Sequence, residues 1–181
     1  MEYRGEYDPI WFKVFTVYQK DPRLLEEWIG FVEKDLDRAL EIARGLTVAE
    51  ERPDTVVLGF SPQILLAIAS ISRGGVKVIT SPEVWSRGGS GPGRFSHRLL
   101  KILYERGLVS MVVETPLAPS KDRRPSDIIQ GLVDAIERIR PSIVDISGGT
   151  QLAAIAIARK VKVLTYTYPM GDHVHIYRLK I

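Results

Sequence analysis

Apolar residues in this chain fall into two alternating patterns, short continuous runs and longer stretches with helical spacing. The runs predict strands at residues 10–18, 55–60, 76–80, 109–113, 143–146, 161–168 and 174–179. The first of these, Ile-Trp-Phe-Lys-Val-Phe-Thr-Val-Tyr, is rich in β-branched and aromatic side chains. Asp21-Pro22 then supplies an N-cap and a proline at the first helical position. Leu24, Leu25, Trp28, Ile29, Val32, Leu36, Leu40 and Ala43 follow at helical spacing up to Gly45, predicting one long helix. Further helices are predicted from Ser61-Pro62 to Gly74-Gly75, around Phe95 to Leu103 with Gly107 as the stop, from Pro125 through Ile139, and over 152–158. Pro169-Met170-Gly171-Asp172 is a hairpin signal between the last two strands.

This alternation defines an α/β chain with a Rossmann-like, mostly parallel sheet, helices on both faces and a C-terminal antiparallel β-hairpin. No internal repeat or second domain is visible in residues 1–181, and residues 1–8 are polar and expected to fray. Ligands of such folds bind outside the carboxyl ends of the strands. Those ends carry Thr16 to Gln19, Phe60-Ser61, Thr80-Ser81, Glu114-Thr115, Ser147 to Gln151 and Tyr166 to Tyr168. A crest dense in hydroxyl and amide groups suits sugar, phosphate and base edges better than an apolar substrate.

The stretch Asp145-Ile146-Ser147-Gly148-Gly149-Thr150-Gln151 stands out, because a buried strand runs through it into an apolar helix. Backbone N–H groups point outward at such a turn, and the helix dipole adds partial positive charge, so an anion such as phosphate fits. Gly148 and Gly149 allow close backbone approach, while Ser147 and Thr150 could donate hydroxyl hydrogen bonds. The plainer alternative, equally open at this point, is a tight βα turn with Thr150 as N-cap. Asp145 suits bracing of the turn by an Asx-type contact better than an acid–base pair with Glu114.

Composition narrows the classes. The chain has no cysteine, which excludes disulfides, thiolate zinc sites and a cysteine nucleophile. No apolar run reaches the length of a membrane span, and the acidic, aromatic N-terminus has no signal-peptide pattern, so a cytoplasmic protein is expected. A formal net charge of +3 is compatible with a small polyanionic ligand, and long nucleic acid is not expected. His173 and His175 lack a third ligand and are taken as strand-face residues, so no metal and no cofactor is expected.

Residues 86–98 hold the one low-complexity segment, Ser86-Arg87-Gly88-Gly89-Ser90-Gly91-Pro92-Gly93 followed by Arg94 and Arg98. A flexible loop with a solvated basic rim is the favoured reading, and a lid closing over phosphates the rival. No Walker A, dinucleotide fingerprint or Gly-x-Ser-x-Gly elbow is present, and Ser96-His97 makes no triad. Lys121 to Arg124 is expected to be a solvated turn before a helix.

With its Asp145-x-Ser147-Gly148-Gly149-Thr150 turn between a late strand and an apolar helix, the chain resembles the CARF (CRISPR-associated Rossmann fold) domains. That family carries an Asp/Asn-x-Ser/Thr-Gly-Gly-Thr-Lys-type turn, a hydroxyl-bearing turn after the first strand, and a terminal hairpin. The resemblance implies a homodimer that binds cyclic oligoadenylate, commonly the tetra-adenylate, in a two-fold pocket during type III CRISPR defence. Standalone members include ring nucleases, which cut the ring without metal by attack of a ribose 2′-hydroxyl on its own phosphate. It further implies that Ser61, Asp145, Ser147, Gly148, Gly149 and Thr150 hold or brace the ligand, and that Thr16 and Gln151 position the attacking hydroxyl. Gln151 replaces the family's Lys or Arg, and the turn at 16–19 lacks the family's glycine. Arg87, Arg94 or Arg98 would then restore positive charge. The alternatives are a non-catalytic sensor acting through a partner, and an unrelated Rossmann-like enzyme on a nucleotide or sugar phosphate.

Overall fold

A computed structural model describes residues 8–17 and 20–180. Its seven strands are β1 (Thr47–Ala49), β2 (Thr55–Leu58), β3 (Val76–Thr80), β4 (Val109–Glu114), β5 (Ile143–Asp145), β6 (Val163–Met170) and β7 (His173–Leu179). Six α-helices accompany them: α1 (Pro22–Lys34), α2 (Leu36–Gly45), α3 (Pro62–Ile71), α4 (Arg94–Glu105), α5 (Pro125–Ile139) and α6 (Gln151–Ala158). The strands form one sheet in the order β1-β7-β6-β5-β2-β3-β4. Every pair is parallel except β6 with β7. The α/β, Rossmann-like architecture with a closing antiparallel hairpin is therefore the one the hydrophobic pattern predicts.

Strand alternation divides the interior into two cores. Val56 and Leu58 of β2 with Val76 and Val78 of β3 pack against α1, α2, α3 and α4. Val57, Ile79, Val113, Val144 and Leu164 pack on the opposite face against α5 and α6. β2 is buried along its whole length, as expected for a parallel strand covered on both sides. α3 is nearly all buried, which explains its apolar composition.

Three elements differ from the sequence expectation. Residues 10–17 do not form the expected strand: a helical turn begins at Pro9 and continues as a π-helical segment over Trp11–Phe15. Trp11, Val14 and Phe15 lie on one helical face, and Trp11 meets Trp28 and Phe31 of α1 edge-on at 5.8 and 5.6 Å. Asp8 starts the turn, its carboxylate accepting from the Ile10 N–H at 3.0 Å. Tyr18 and Gln19, half of the expected first-strand turn, lie outside the described residues. Second, the long helix is broken at Asp35, whose carboxylate caps α2 by accepting from the Arg38 N–H at 3.0 Å. Third, β1 forms over residues 47–49, where no strand is predicted, pairing Thr47, Val48 and Ala49 with Val174, His175 and Ile176.

The hairpin turns at Gly171-Asp172, with Gly171 at φ +67° in the first turn position, where glycine is favoured. Beyond α6 no described element covers one face of the sheet. Tyr166, Tyr168 and Met170 of β6 are exposed there, opposite Tyr177, His175 and His173 of β7, with Val48 of β1 in register beside His175. The Tyr166 and Tyr168 rings stack, as do His175 and Tyr177, so the two histidines stand on an aromatic strand face. No helix among the described residues is long and apolar enough to cross a membrane.

Candidate functional site

β2 leads through α3 to β3 on one side, whereas β5 leads through α6 to β6 on the other. These neighbours therefore mark the topological switch point, where connections diverge and a cleft opens at the strand ends. A cavity of about 320 Å³ lies there. It is lined by Gly59 and Phe60 after β2, Ser81 and Glu83 after β3, the 117–120 loop and Arg123 after β4, and Gly148 to Thr150 after β5.

Glycine is required where the two central loops touch. A Cβ on Gly59 would sit 2.4 Å from the Gly148 carbonyl oxygen, and one on Gly148 would sit 2.2 Å from the Val57 carbonyl oxygen. Gly149 is less confined, with its nearest neighbours at 3.2 to 3.4 Å.

A buried carboxylate holds the turn from below. Asp145 is fully buried, and its Oδ1 accepts from the Ser147 N–H at 3.0 Å and from the Ser147 hydroxyl. Its Oδ2 accepts from the hydroxyls of Thr165 at 3.0 Å and Thr167 at 2.6 Å. The Thr167 N–H in turn donates to Ser147 Oγ at 2.6 Å. Burial pushes the Asp145 carboxyl above its ordinary range, against the hydrogen bonds from Ser147, Thr167 and Thr165 that favour its charge. With no solvent exposure, Asp145 braces the turn and does not touch a ligand in the cleft.

Two expected donors are occupied. Thr150 caps α6, its Oγ1 accepting from the Ala153 N–H at 3.2 Å and donating to the Leu117 carbonyl at 2.6 Å. The Ser147 hydroxyl hydrogen goes to Asp145. Neither hydroxyl keeps a hydrogen for a ligand. The main chain does: the N–H groups of Gly148, Thr150, Gln151 and Leu152 have no acceptor among the described residues. They sit at the positive end of α6.

The other expected site residues are dispersed. Thr16 ends the N-terminal helical turn, not a strand, and its hydroxyl donates to the Phe12 carbonyl at 2.9 Å. It lines a separate hollow with Pro9, Phe12, Lys13, Val17, Gly171 and Asp172. Gln151 is exposed at the first position of α6 and does not line the cleft. Ser61 flanks α3, half-buried, without a capping bond. Glu114, with β3 and β2 standing between its strand and β5, accepts from the Ser86 N–H at 2.9 Å, so it forms no pair with Asp145.

The glycine-rich segment at 86–93 leads into α4. It forms turns wound against 83–84: a Cβ on Gly88 would sit 1.9 Å from the Val84 carbonyl oxygen, and one on Gly93 2.2 Å from that of Glu83. Its arginines diverge. Arg94 lies over the Phe95 ring at 4.4 Å and borders a hollow with Pro22, Arg23, Glu26 and Glu27 of α1, away from the crest. Arg98 is bound to Glu33 at 2.8 Å and to Glu26. Hydrogen bonds from Arg98 hold the Glu33 carboxyl below its usual range. Arg87 alone approaches the cleft, its Nη2 2.9 Å from Glu83 Oε1.

That same carboxylate oxygen lies 3.3 Å from Nη1 of Arg123, a cation the charge run at 121–124 did not single out. Burial opposes ionisation of Glu83, but hydrogen bonds from its own N–H and from Ser81, with Arg123 alongside, hold its carboxyl below the usual range. Among the described residues no group of three or more His, Cys, Asp or Glu side chains could hold a metal ion. The fold and the cleft define a Rossmann-like α/β protein with an amide-lined site at the switch point. No protein-family model matches the chain. No curated protein sequence matches it either.

Proposed function

We propose that the switch-point cleft binds a phosphate-bearing nucleotide ligand, and that the ligand is a cyclic oligoadenylate, the tetra-adenylate first, in type III CRISPR defence. The observation that carries this reading is the set of N–H groups at the N-terminus of α6 without an acceptor among the described residues, of which those of Gly148 and Thr150 belong to residues lining the cleft. The identity of the ligand rests on the resemblance of the Gly-Gly-Thr turn to CARF domains. A cavity of about 320 Å³ is at the small end for a ligand site and has room for one nucleotide unit, not a ring of four. A ring would therefore span two protomers, and a homodimer supplies two such turns. The bare aromatic face of β6 and β7 is the surface a second copy would cover.

Within this reading the non-catalytic sensor is favoured over the ring nuclease. Thr16 and Gln151, the residues expected to position the attacking hydroxyl, do not line the cleft, and the Ser147 and Thr150 hydroxyls are bound to protein acceptors. The test is to titrate the protein with cyclic tri-, tetra- and hexa-adenylate in the absence of metal, by calorimetry, with chromatography of the products. Binding of one ring without linear products is expected. Linear products would restore the ring nuclease. Failure of all three rings, with a thermal shift on adding mononucleotides, would point to an unrelated Rossmann-like enzyme.

A further inference from the structure

We infer that this cleft selects ligands carrying an aromatic base beside the phosphate, with Phe60 as the stacking surface and Arg123 as a cation that moves from Glu83 to the phosphate. The inference rests on the anion-binding reading of the cleft and adds which nucleotide-like ligands it accepts.

Phe60 follows a strand with no exposed residue, yet is itself 51% exposed. A single exposed aromatic is ordinary on a protein surface. This one lines a cavity whose other walls are Leu117, Ala118 and Pro119 on one side and the 148–150 amides on another. Its backbone is fixed because Gly59, the residue before it, abuts Gly148. An aromatic ring on a rigid stem, an aliphatic wall and the two N–H groups of Gly148 and Thr150 left without an acceptor among the described residues together form a slot for a flat base with a phosphate at one end.

The charge arrangement fits the same ligand. Glu83 Oε1 receives both Arg87 at 2.9 Å and Arg123 at 3.3 Å, so two guanidiniums share one carboxylate oxygen and the trio keeps one net positive charge. The Glu83 side chain is 43% exposed, and half-exposed ion pairs contribute little stability, so exchanging a partner costs little. When a phosphate enters, Arg123 can turn from Glu83 into the cleft it already lines, while Arg87 continues to neutralise Glu83.

The test is calorimetric titration of the wild type, Phe60→Ala, Phe60→Trp and Arg123→Gln with adenosine 5′-monophosphate, uridine 5′-monophosphate, ribose 5-phosphate and inorganic pyrophosphate. The wild type should bind the adenine nucleotide most tightly, then the uridine nucleotide, then ribose 5-phosphate. Phe60→Ala should weaken the adenine nucleotide by about 5- to 150-fold, to the level of ribose 5-phosphate, and leave pyrophosphate unchanged. Phe60→Trp should retain the preference for a base. Arg123→Gln should weaken every phosphate ligand alike and reduce the salt dependence. Equal wild-type affinity for the adenine nucleotide and ribose 5-phosphate, or an unaffected Phe60→Ala, would overturn the stacking inference while leaving the anion site standing. A wild type that bound none of the four but bound a cyclic oligoadenylate would overturn this inference alone, whereas binding neither would overturn the anion site as well.

Discussion

Asp145 is the residue whose removal tests most about this structure, because one carboxylate joins β5, the Gly-Gly turn and β6. In Asp145→Ala the hydroxyls of Thr165, Thr167 and Ser147 and the Ser147 N–H all lose their acceptor in a buried site. A buried polar group left unsatisfied costs about 1–3 kcal/mol, and some of the four can find new partners, so a loss of roughly 3–6 kcal/mol is expected. That is a large share of the roughly 5–15 kcal/mol that holds a domain folded. Asp145→Asn is the informative partner. Its amide oxygen still accepts from Ser147, and its NH₂ faces threonine hydroxyls that can rotate to accept.

The two polar residues differ in pH dependence. Burial raises the folded-state carboxyl of Asp145 above its unfolded value, so the folded chain holds that proton more tightly. Its contribution to stability is fully present below the unfolded value of about 3.9 and is lost as pH rises through the folded value. Urea unfolding of wild type and Asp145→Asn in parallel, from about pH 4 to pH 8, isolates this group, because every other titration is shared. The stability of the wild type relative to Asp145→Asn should fall as pH rises and then level off. A difference that stayed flat over the whole range, or an Asp145→Ala variant losing less than about 1 kcal/mol, would refute the view that this carboxylate is buried and knots the turn.

Three other predictions follow from neighbouring contacts. Gly148→Ala should cost about 1–3 kcal/mol or more, since its Cβ meets only β2 backbone and the loop after it, whereas the Gly149→Ala Cβ meets mainly side-chain atoms at 3.2 to 3.4 Å, a tight fit that shifts of a few tenths of an ångström relieve, and should cost less; equal urea midpoints would contradict the close approach. Thr150→Ala removes the α6 cap and frees the Leu117 carbonyl, so a loss of about 1–2 kcal/mol is expected, with Thr150→Ser restoring most of it in thermal melts. Tyr168, 54% exposed on the bare sheet face, should tolerate Glu with an unchanged circular dichroism spectrum, while sedimentation shifts from dimer to monomer. A wild type that sediments as a monomer at all concentrations would remove the dimer from the account.

What the sequence revealed and what it hid divide along contact range. The strand and helix alternation and the Gly-Gly-Thr turn are local patterns, and β2, β3, β4 and α3 to α6 were legible from them. Residues 10–18 were misleading because β-branched and aromatic enrichment reports burial more than backbone shape. Trp11, Val14 and Phe15 also satisfy helical spacing, and the choice was made by α1, whose Trp28 and Phe31 receive the aromatic edge. Asp35 escaped notice since Val32, Leu36 and Leu40 keep helical spacing across the break. At the site the same limit operates on hydrogen atoms. Ser147 and Thr150 are donors by type, but the Thr150 acceptor, the Leu117 carbonyl, stands 33 residues away, and the Thr167 N–H that donates to Ser147 Oγ stands 20 residues away, while the Ser147 hydrogen goes to the nearby Asp145. Only the fold assigns those protons, and it spends them on holding the turn in place. Arg123 was hidden likewise, since a charge run before a helix is usually solvated and its meeting with Glu83 spans 40 residues. The consequence for function is direct. With the Ser147 and Thr150 hydroxyls engaged in bracing, the turn presents a ligand in the cleft with its backbone at 148–150, and discrimination between ligands must come from other residues lining that cleft, Phe60 and Arg123.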